Sequence, residues 1–184
     1  MRVKRRSLGR GFGLALLTCS WGCFAMFPNQ QTQEGNTVLR RGPVSLEVPT
    51  HGLLVFESTG TGFMTDPYVF AGSEADEHFI SASIESAATG DCVELYRSRL
   101  ANMAAFSPEN VVRGSRGPFD TYEYFLAKSP DPNLPDVRID QRNIIACKTL
   151  GNGTAFIHVS KSHYVDADEK WFAQIFEQTR IELH

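Results

Sequence analysis

The sequence has no acidic residue before Glu34, although five of its 18 basic residues (Arg2, Lys4, Arg5, Arg6 and Arg10) stand in the first ten positions. It has no Gly-x-Ser-x-Gly elbow, no His-Glu-x-x-His, no P-loop and no Cys-x-x-Cys pair. The chemistries that those short motifs announce, acyl transfer, zinc hydrolysis, phosphate cradling and dithiol exchange, are therefore unmarked. Internal repeats and low-complexity tracts are missing too. The body of the chain is also short of positive charge. Setting aside residues 1–25 removes five basic and no acidic residues, which turns a net charge of -3 into -8. Nucleic-acid binding needs clustered Lys and Arg against phosphate, so an acidic body argues against it.

What is present at the start reads as an address. Met1–Arg10 is a basic segment, and Gly11–Ala25 follows with no charge and the run Phe12-Gly13-Leu14-Ala15-Leu16-Leu17. A bilayer span wants about 20 apolar residues. The shorter stretch suits a secretory signal, with Cys23-Phe24-Ala25 offering small residues for cleavage after Ala25. A soluble periplasmic protein is the expectation. Lipidation at Cys19 or Cys23 is the alternative, and membrane attachment is expected only in that case. Leu16-Leu17-Thr18-Cys19 puts a poorly suited Thr before its Cys, and Ser20-Trp21-Gly22-Cys23 lacks the aliphatic residue three positions back. Arg5-Arg6 faintly echoes a twin-arginine signal.

The mature part, roughly 155 residues, is long enough to bury about two thirds of its unfolded surface in one core without metals or many disulfides. Residues 26–42 are expected to be a flexible lead-in, and residues 43–184 one α+β domain. Val44, Leu46 and Val48 alternate with polar residues and stop at Pro49, as a half-buried strand does. Leu53–Glu57 is a second strand, ended by Ser58-Thr59-Gly60-Thr61-Gly62, which reads as a turn. Phe79–Glu85 is a third, with Ile80, Ala82 and Ile84 on one face. Asp91-x-x-Glu94 reads as a capping box opening a helix with the stripe Cys92, Leu95, Tyr96, Leu100 and Met103. Three β segments follow: Val111–Arg113 continuing through Thr121–Ala127, then Asp136–Lys148, then Thr154–Ser162. Leu150-Gly151-Asn152-Gly153-Thr154 is a hairpin signal. A last helix, opened by Asp166-x-x-Glu169, buries Trp171, Phe172, Ile175 and Phe176 and runs to Ile181. The expected fold is an antiparallel sheet covered by two main helices.

Outside the leader only Cys92 and Cys147 remain. One lies on the first helix's apolar stripe and the other in a strand, so both fall where helix meets sheet, and an oxidising compartment favours their disulfide. No catalytic or metal residues and no cofactor are assigned. His158, alternating with Phe156 and Ser160, reads as a hydrogen-bonded residue under a helix. His163 with Asp166 and Asp168 is the arrangement that a metal-dependent hydrolase would use at a strand-to-helix corner. Two surface features suit a protein partner. One is the proline-stiffened loop Ser129–Asp136, with Asp131, Asn133, Leu134 and Asp136 as candidate contacts. The other is the acidic loop of Glu74, Asp76 and Glu77, whose field would steer a basic surface.

The layout resembles the PsbP-like family, including the DcrB-like envelope proteins. The likeness runs from Pro43 to Ile181. It rests on Val44-Ser45-Leu46-Glu47-Val48-Pro49, the helix around Val93–Ala104, and the meander with Tyr122-Glu123-Tyr124. The strand Thr154–Ser160 and the terminal helix Trp171–Phe176 complete it. The resemblance implies an antiparallel sheet between helices and non-enzymatic binding or assembly roles. It also implies a place among exported immunity proteins that block toxins delivered by secretion systems, the type VI system among them. Three functions follow as expectations. The first is a periplasmic immunity protein that neutralises an effector hydrolase, and the second an accessory or assembly factor of an envelope complex. The third is the metal-dependent hydrolase.

Overall fold

The computed structural model describes residues 31–32, 34–59, 66–73, 75–86, 92–102, 108–130, 138–151 and 153–184. Alternation along β6 (His78–Ser86) organises the fold. Ile80, Ala82 and Ile84 are buried on one face, while Phe79, Ser81, Ser83 and Glu85 stand on the other, as the two-residue period of a strand requires. The flanking strands are β1 (Gln31–Thr32), β4 (Leu54–Thr59), β5 (Pro67–Ser73), β7 (Glu109–Arg116), β8 (Phe119–Pro130), β9 (Arg138–Leu150) and β10 (Gly153–Ser162). With β6 they form one sheet in the order β1-β4-β5-β6-β10-β9-β8-β7, and every pairing is antiparallel. A second antiparallel sheet has the order β11-β3-β2, from β2 (Thr37–Arg41), β3 (Val44–Val48) and β11 (Arg180–Leu183).

The two faces of the large sheet are covered differently. Val69, Ile80, Ile84, Ile144, Ile157 and Val159 face the second sheet and α2 (Glu169–Gln178), packing with Leu46, Val48, Phe172 and Phe176 in the main core. On the opposite face Tyr124, Leu126, Ile145, Cys147 and Phe156 pack with Cys92, Leu95 and Tyr96 of α1 (Cys92–Asn102). The chain is therefore a single α+β domain, mainly β, with its large sheet between the two helices.

Several elements depart from the sequence expectation. Thr37–Arg41, placed in the lead-in, is a strand whose Thr37 and Leu39 are buried against β3. Pro67–Ser73 is a central strand; its proline stands at the first position, where a missing N–H costs least. The run from Val111 to Ala127 is two strands. It folds back at Gly117-Pro118, with Gly117 in the left-handed region at φ 55°, and Gly-Pro is a turn signal in its own right. α2 begins at Glu169 after a 3-10 turn, Asp166–Asp168. The Asp168 carboxylate closes that turn by accepting the Val165 N–H at 2.9 Å and makes no side-chain cap bond to the helix itself. The helix stops at Thr179, where extended backbone and a side-chain bond to the Ile175 carbonyl (2.7 Å) release the chain into β11.

The β9–β10 hairpin forms as expected, with Leu150 paired to Gly153. Gly153 is already inside the strand. A Cβ there would lie 2.5 Å from the Glu85 carbonyl oxygen, so the residue is set by the close approach of β6 as well as by the turn.

Candidate functional site

The acidic turn between β5 and β6 is built on a short hydrogen-bond loop. The Ser73 hydroxyl donates to the Asp76 carboxylate (2.8 Å) and accepts the Asp76 N–H (3.2 Å). Glu77 takes a left-handed φ of 56° to reverse the chain. Pairing of His78 with Lys161 sets this turn beside the end of β10. There the Ser162 N–H donates to the Glu77 carbonyl (3.1 Å), and the Glu77 carboxylate meets His163 Nδ1 at 2.8 Å and Lys161 Nζ at 3.7 Å.

Behind the turn, the His78 ring lies flat on Trp171 of α2, with centroids 4.0 Å apart and planes 9° apart. Its Nε2 is buried with no hydrogen-bond partner among the described residues. Burial, with the Lys161 charge, holds His78 below its usual pKa against the opposing pull of Asp76, Asp168 and Glu77. Those three carboxylates thus gather around one neutral aromatic stack. Next to them Val165 is 58% exposed, and Asp166 is exposed as well. The result is a surface corner of carboxylates at the His78–Trp171 stack, with the exposed valine beside Asp168.

This corner does not assemble a metal site. His163 turns to Glu77, its N–H goes to the Asp140 carbonyl (2.9 Å), and Asp168 caps Val165. Among the described residues no group of three His, Cys, Asp or Glu side chains is placed to hold a metal.

The α1 face carries a second polar group, one that sequence reasoning recognised only at His158. Cys92 and Cys147 form a disulfide with Cα atoms 5.7 Å apart, within the usual range. Beyond it the strands present Ser83, Glu85, Asn143, His158 and Ser160, all buried. His158 Nε2 meets Asn143 Oδ1 at 2.9 Å. Complete burial, helped by the Arg99 charge, pushes its pKa down to about 4, so the ring is neutral. Arg99 of α1 reaches over the Phe156 ring (5.0 Å) to Glu85 (3.0 Å), which also accepts from Ser83 (3.2 Å). Tyr124 is fully buried with no hydrogen-bond partner for its hydroxyl among the described residues, and burial raises its pKa. The groups are mutually satisfied or neutral, and the arrangement fixes how α1 sits.

A third cluster is absent from the sequence reading altogether. Arg116 and Arg142 are bridged twice, by Glu123 and by Glu169, in a closed ring of ion pairs. Arg116 reaches Glu123 at 2.8 Å and Glu169 at 2.9 Å; Arg142 reaches Glu123 at 2.8 Å, contacts Glu169, and donates to the Tyr164 hydroxyl at 2.7 Å. Arg142 also stacks over Tyr164 (4.7 Å) and Phe172 (5.1 Å). Burial alone would raise the Glu123 pKa, but hydrogen bonds from both arginines hold it below the usual value. The ring ties the start of α2 to β7, β8 and β9. Its members lie 7 to 53 residues apart in pairs, so no local motif could reveal it.

Of the residues proposed for partner binding, Asp76 and Glu77 lie on the acidic corner. Glu74, Asp131, Asn133, Leu134 and Asp136 fall outside the described residues, as do residues 1–25 with Cys19 and Cys23, the turn 60–62, Asp91 and Met103. No helix among the described residues is long and apolar enough to cross a membrane. Set against protein-family models and the curated proteins, the chain matches none.

Proposed function

We propose that this is an exported, non-enzymatic protein-binding domain of PsbP-like architecture, acting as an immunity protein that neutralises a toxin or effector hydrolase in the cell envelope. The acidic corner carries the reading. Asp76, Glu77 and Asp168 gather at the His78–Trp171 stack on a base of paired strands, with the exposed Val165 and Asp166 in the turn that Asp168 closes. A preorganised acidic surface beside an apolar contact suits a basic partner surface, such as the substrate cleft of an enzyme that handles an anionic polymer. The large sheet between two helices supports the PsbP-like likeness, and the disulfide supports an oxidising compartment.

The test is competition between sibling cells with and without the gene. Cells lacking it are expected to lose viability in contact with siblings and to be rescued by the exported protein, but not by a leaderless version. Rescue should weaken when Asp76, Asp166 and Asp168 are changed to Asn together. Unchanged viability of the deletion strain would remove the immunity reading. A stoichiometric complex whose activity survives binding would replace it with an assembly role.

A further inference from the structure

His78 is held by the sheet on both sides and by a helix on one face. Its backbone pairs with Ser73 of β5 and with Lys161 of β10, so a local response to its charge falls to the side chain and to α2. The ring lies flat on Trp171 in the first turn of α2, with centroids 4.0 Å apart and planes 9° apart. Neutral imidazole has one N–H and one bare acceptor nitrogen, whereas the charged ring carries an N–H on both. Nε2 of His78 is buried with no hydrogen-bond partner among the described residues. A bare nitrogen is tolerated there; a charged donor without an acceptor is costly. The indole face attracts a cation, but the rings are nearly parallel, so an N–H in the imidazole plane points past it.

Acceptors stand nearby, and none is bonded to Nε2. Asp76 and Glu77 belong to the turn that leads into His78, and Asp168 to the 3-10 turn before α2. Lys161 of β10 is the opposing charge. Ser73, the β5 partner, is uncharged, and His163 faces Glu77 at 2.8 Å. We propose that the His78–Trp171 stack is an acid-operated latch: on protonation the His78 ring leaves Trp171 for a neighbouring carboxylate and uncovers the indole. In acid the corner thus loses part of its negative charge and gains an exposed aromatic face. Burial and the Lys161 charge hold the closed ring below its usual 6.5. The closed form is therefore favoured at neutral pH and lost as pH falls, and the open-to-closed ratio rises by at most about tenfold per pH unit.

The test is the fluorescence of Trp171. Trp21 and Trp171 are the two tryptophans of the chain, so Trp21→Phe leaves Trp171 as the single reporter. Acrylamide quenching is followed from about pH 8 to about pH 5, beside far-UV circular dichroism. The quenching constant is expected to rise about threefold or more in one step centred below pH 6.5, with unchanged circular dichroism. His78→Phe, which keeps an aromatic ring against Trp171 and cannot titrate, should hold the constant at its neutral-pH value throughout. Lys161→Gln, which removes the opposing charge, should move the step to higher pH. A flat quenching constant overturns the proposal, even with a fall in intensity, because the charged ring then stays on the indole. So does a step that survives in His78→Phe, that fails to move in Lys161→Gln, or that coincides with unfolding. The titration needs no partner, so its failure leaves the immunity reading standing, and failure of the sibling competition leaves the latch standing.

Discussion

The two faces of the large sheet are closed by different physics. The face under α2 and the second sheet is closed by area: one continuous apolar cluster, extending from Val55 to Val159 along the strands and onto Phe172 and Phe176, with an ion-pair ring at its margin. The face under α1 has a smaller apolar patch. There a disulfide, a neutral buried His158 hydrogen-bonded to Asn143, and the Arg99–Glu85 pair hold one helix in place. Non-directional burial tolerates small shifts, whereas covalent and hydrogen-bonded contacts do not. The lesson is that a helix with little apolar area can still be held in one geometry, provided its few bonds are directional.

Phe172→Ala tests the area side most severely. Phe172 is fully buried, and its truncation should cost about 5 kcal/mol, the upper end for a phenylalanine cavity. The check is a urea unfolding curve. If hydrogen exchange in α1 stays protected while α2 opens, the faces are separable. If both open together, they form one cooperative unit.

Removal of the disulfide tests the other side. Cys92→Ala with Cys147→Ala opens a loop of 55 residues, which chain entropy values at about 4 kcal/mol. Calorimetry should show that loss, and α1 amides should exchange before those of β10 and α2. Equal loss of protection on both faces would sink the contrast.

Acid gives the smallest and sharpest discrimination. His158 has its pKa lowered from 6.5 to about 4 in the folded state, so the unfolded chain takes up the proton first. Its stabilisation is complete above pH 6.5 and is lost as pH falls toward 4, by about 3 kcal/mol. Glu123, held below its usual 4.5, contributes above that value and loses its contribution only at lower pH. Destabilisation between pH 6.5 and 4.5 is thus shared by the two histidines held below their usual pKa, His158 on the α1 face and His78 against Trp171 of α2, and further loss below 4.5 belongs to the ring. His158→Gln should shrink the upper slope to the His78 share and leave the lower limb, and His78→Gln added to it should flatten the upper window. A variant that keeps the full upper slope would show that another group titrates there.

Much of the fold was legible because alternation and helical stripes are local. Val44–Val48, Phe79–Glu85 with its two faces, the Cys92, Leu95 and Tyr96 part of the first helix's stripe and the Leu150–Gly153 hairpin read correctly. The misreadings share one cause. Thr37–Arg41 is rich in charge, Pro67–Ser73 carries Pro and Gly, and Arg180–Leu183 follows a helix directly. Each is a strand because a neighbouring strand pairs with it, and its own composition says little. The candidate site divides the same way. Asp76 and Glu77 stood out as an acidic run, but Val165, Trp171 and Asp168 joined them only when β6 paired with β10 and α2 folded back over the strands.

By itself, then, the sequence determined the basic leader-like start, the acidic body, the α+β class and the Cys92–Cys147 pairing. All are set by composition or by periods of a few residues. The tertiary structure decided which face each helix covers, where the Arg116–Glu123–Arg142–Glu169 ring closes, and that β7 is the last strand of the large sheet among the described residues. Those depend on strand order and register, which bring together residues that no short-range pattern relates.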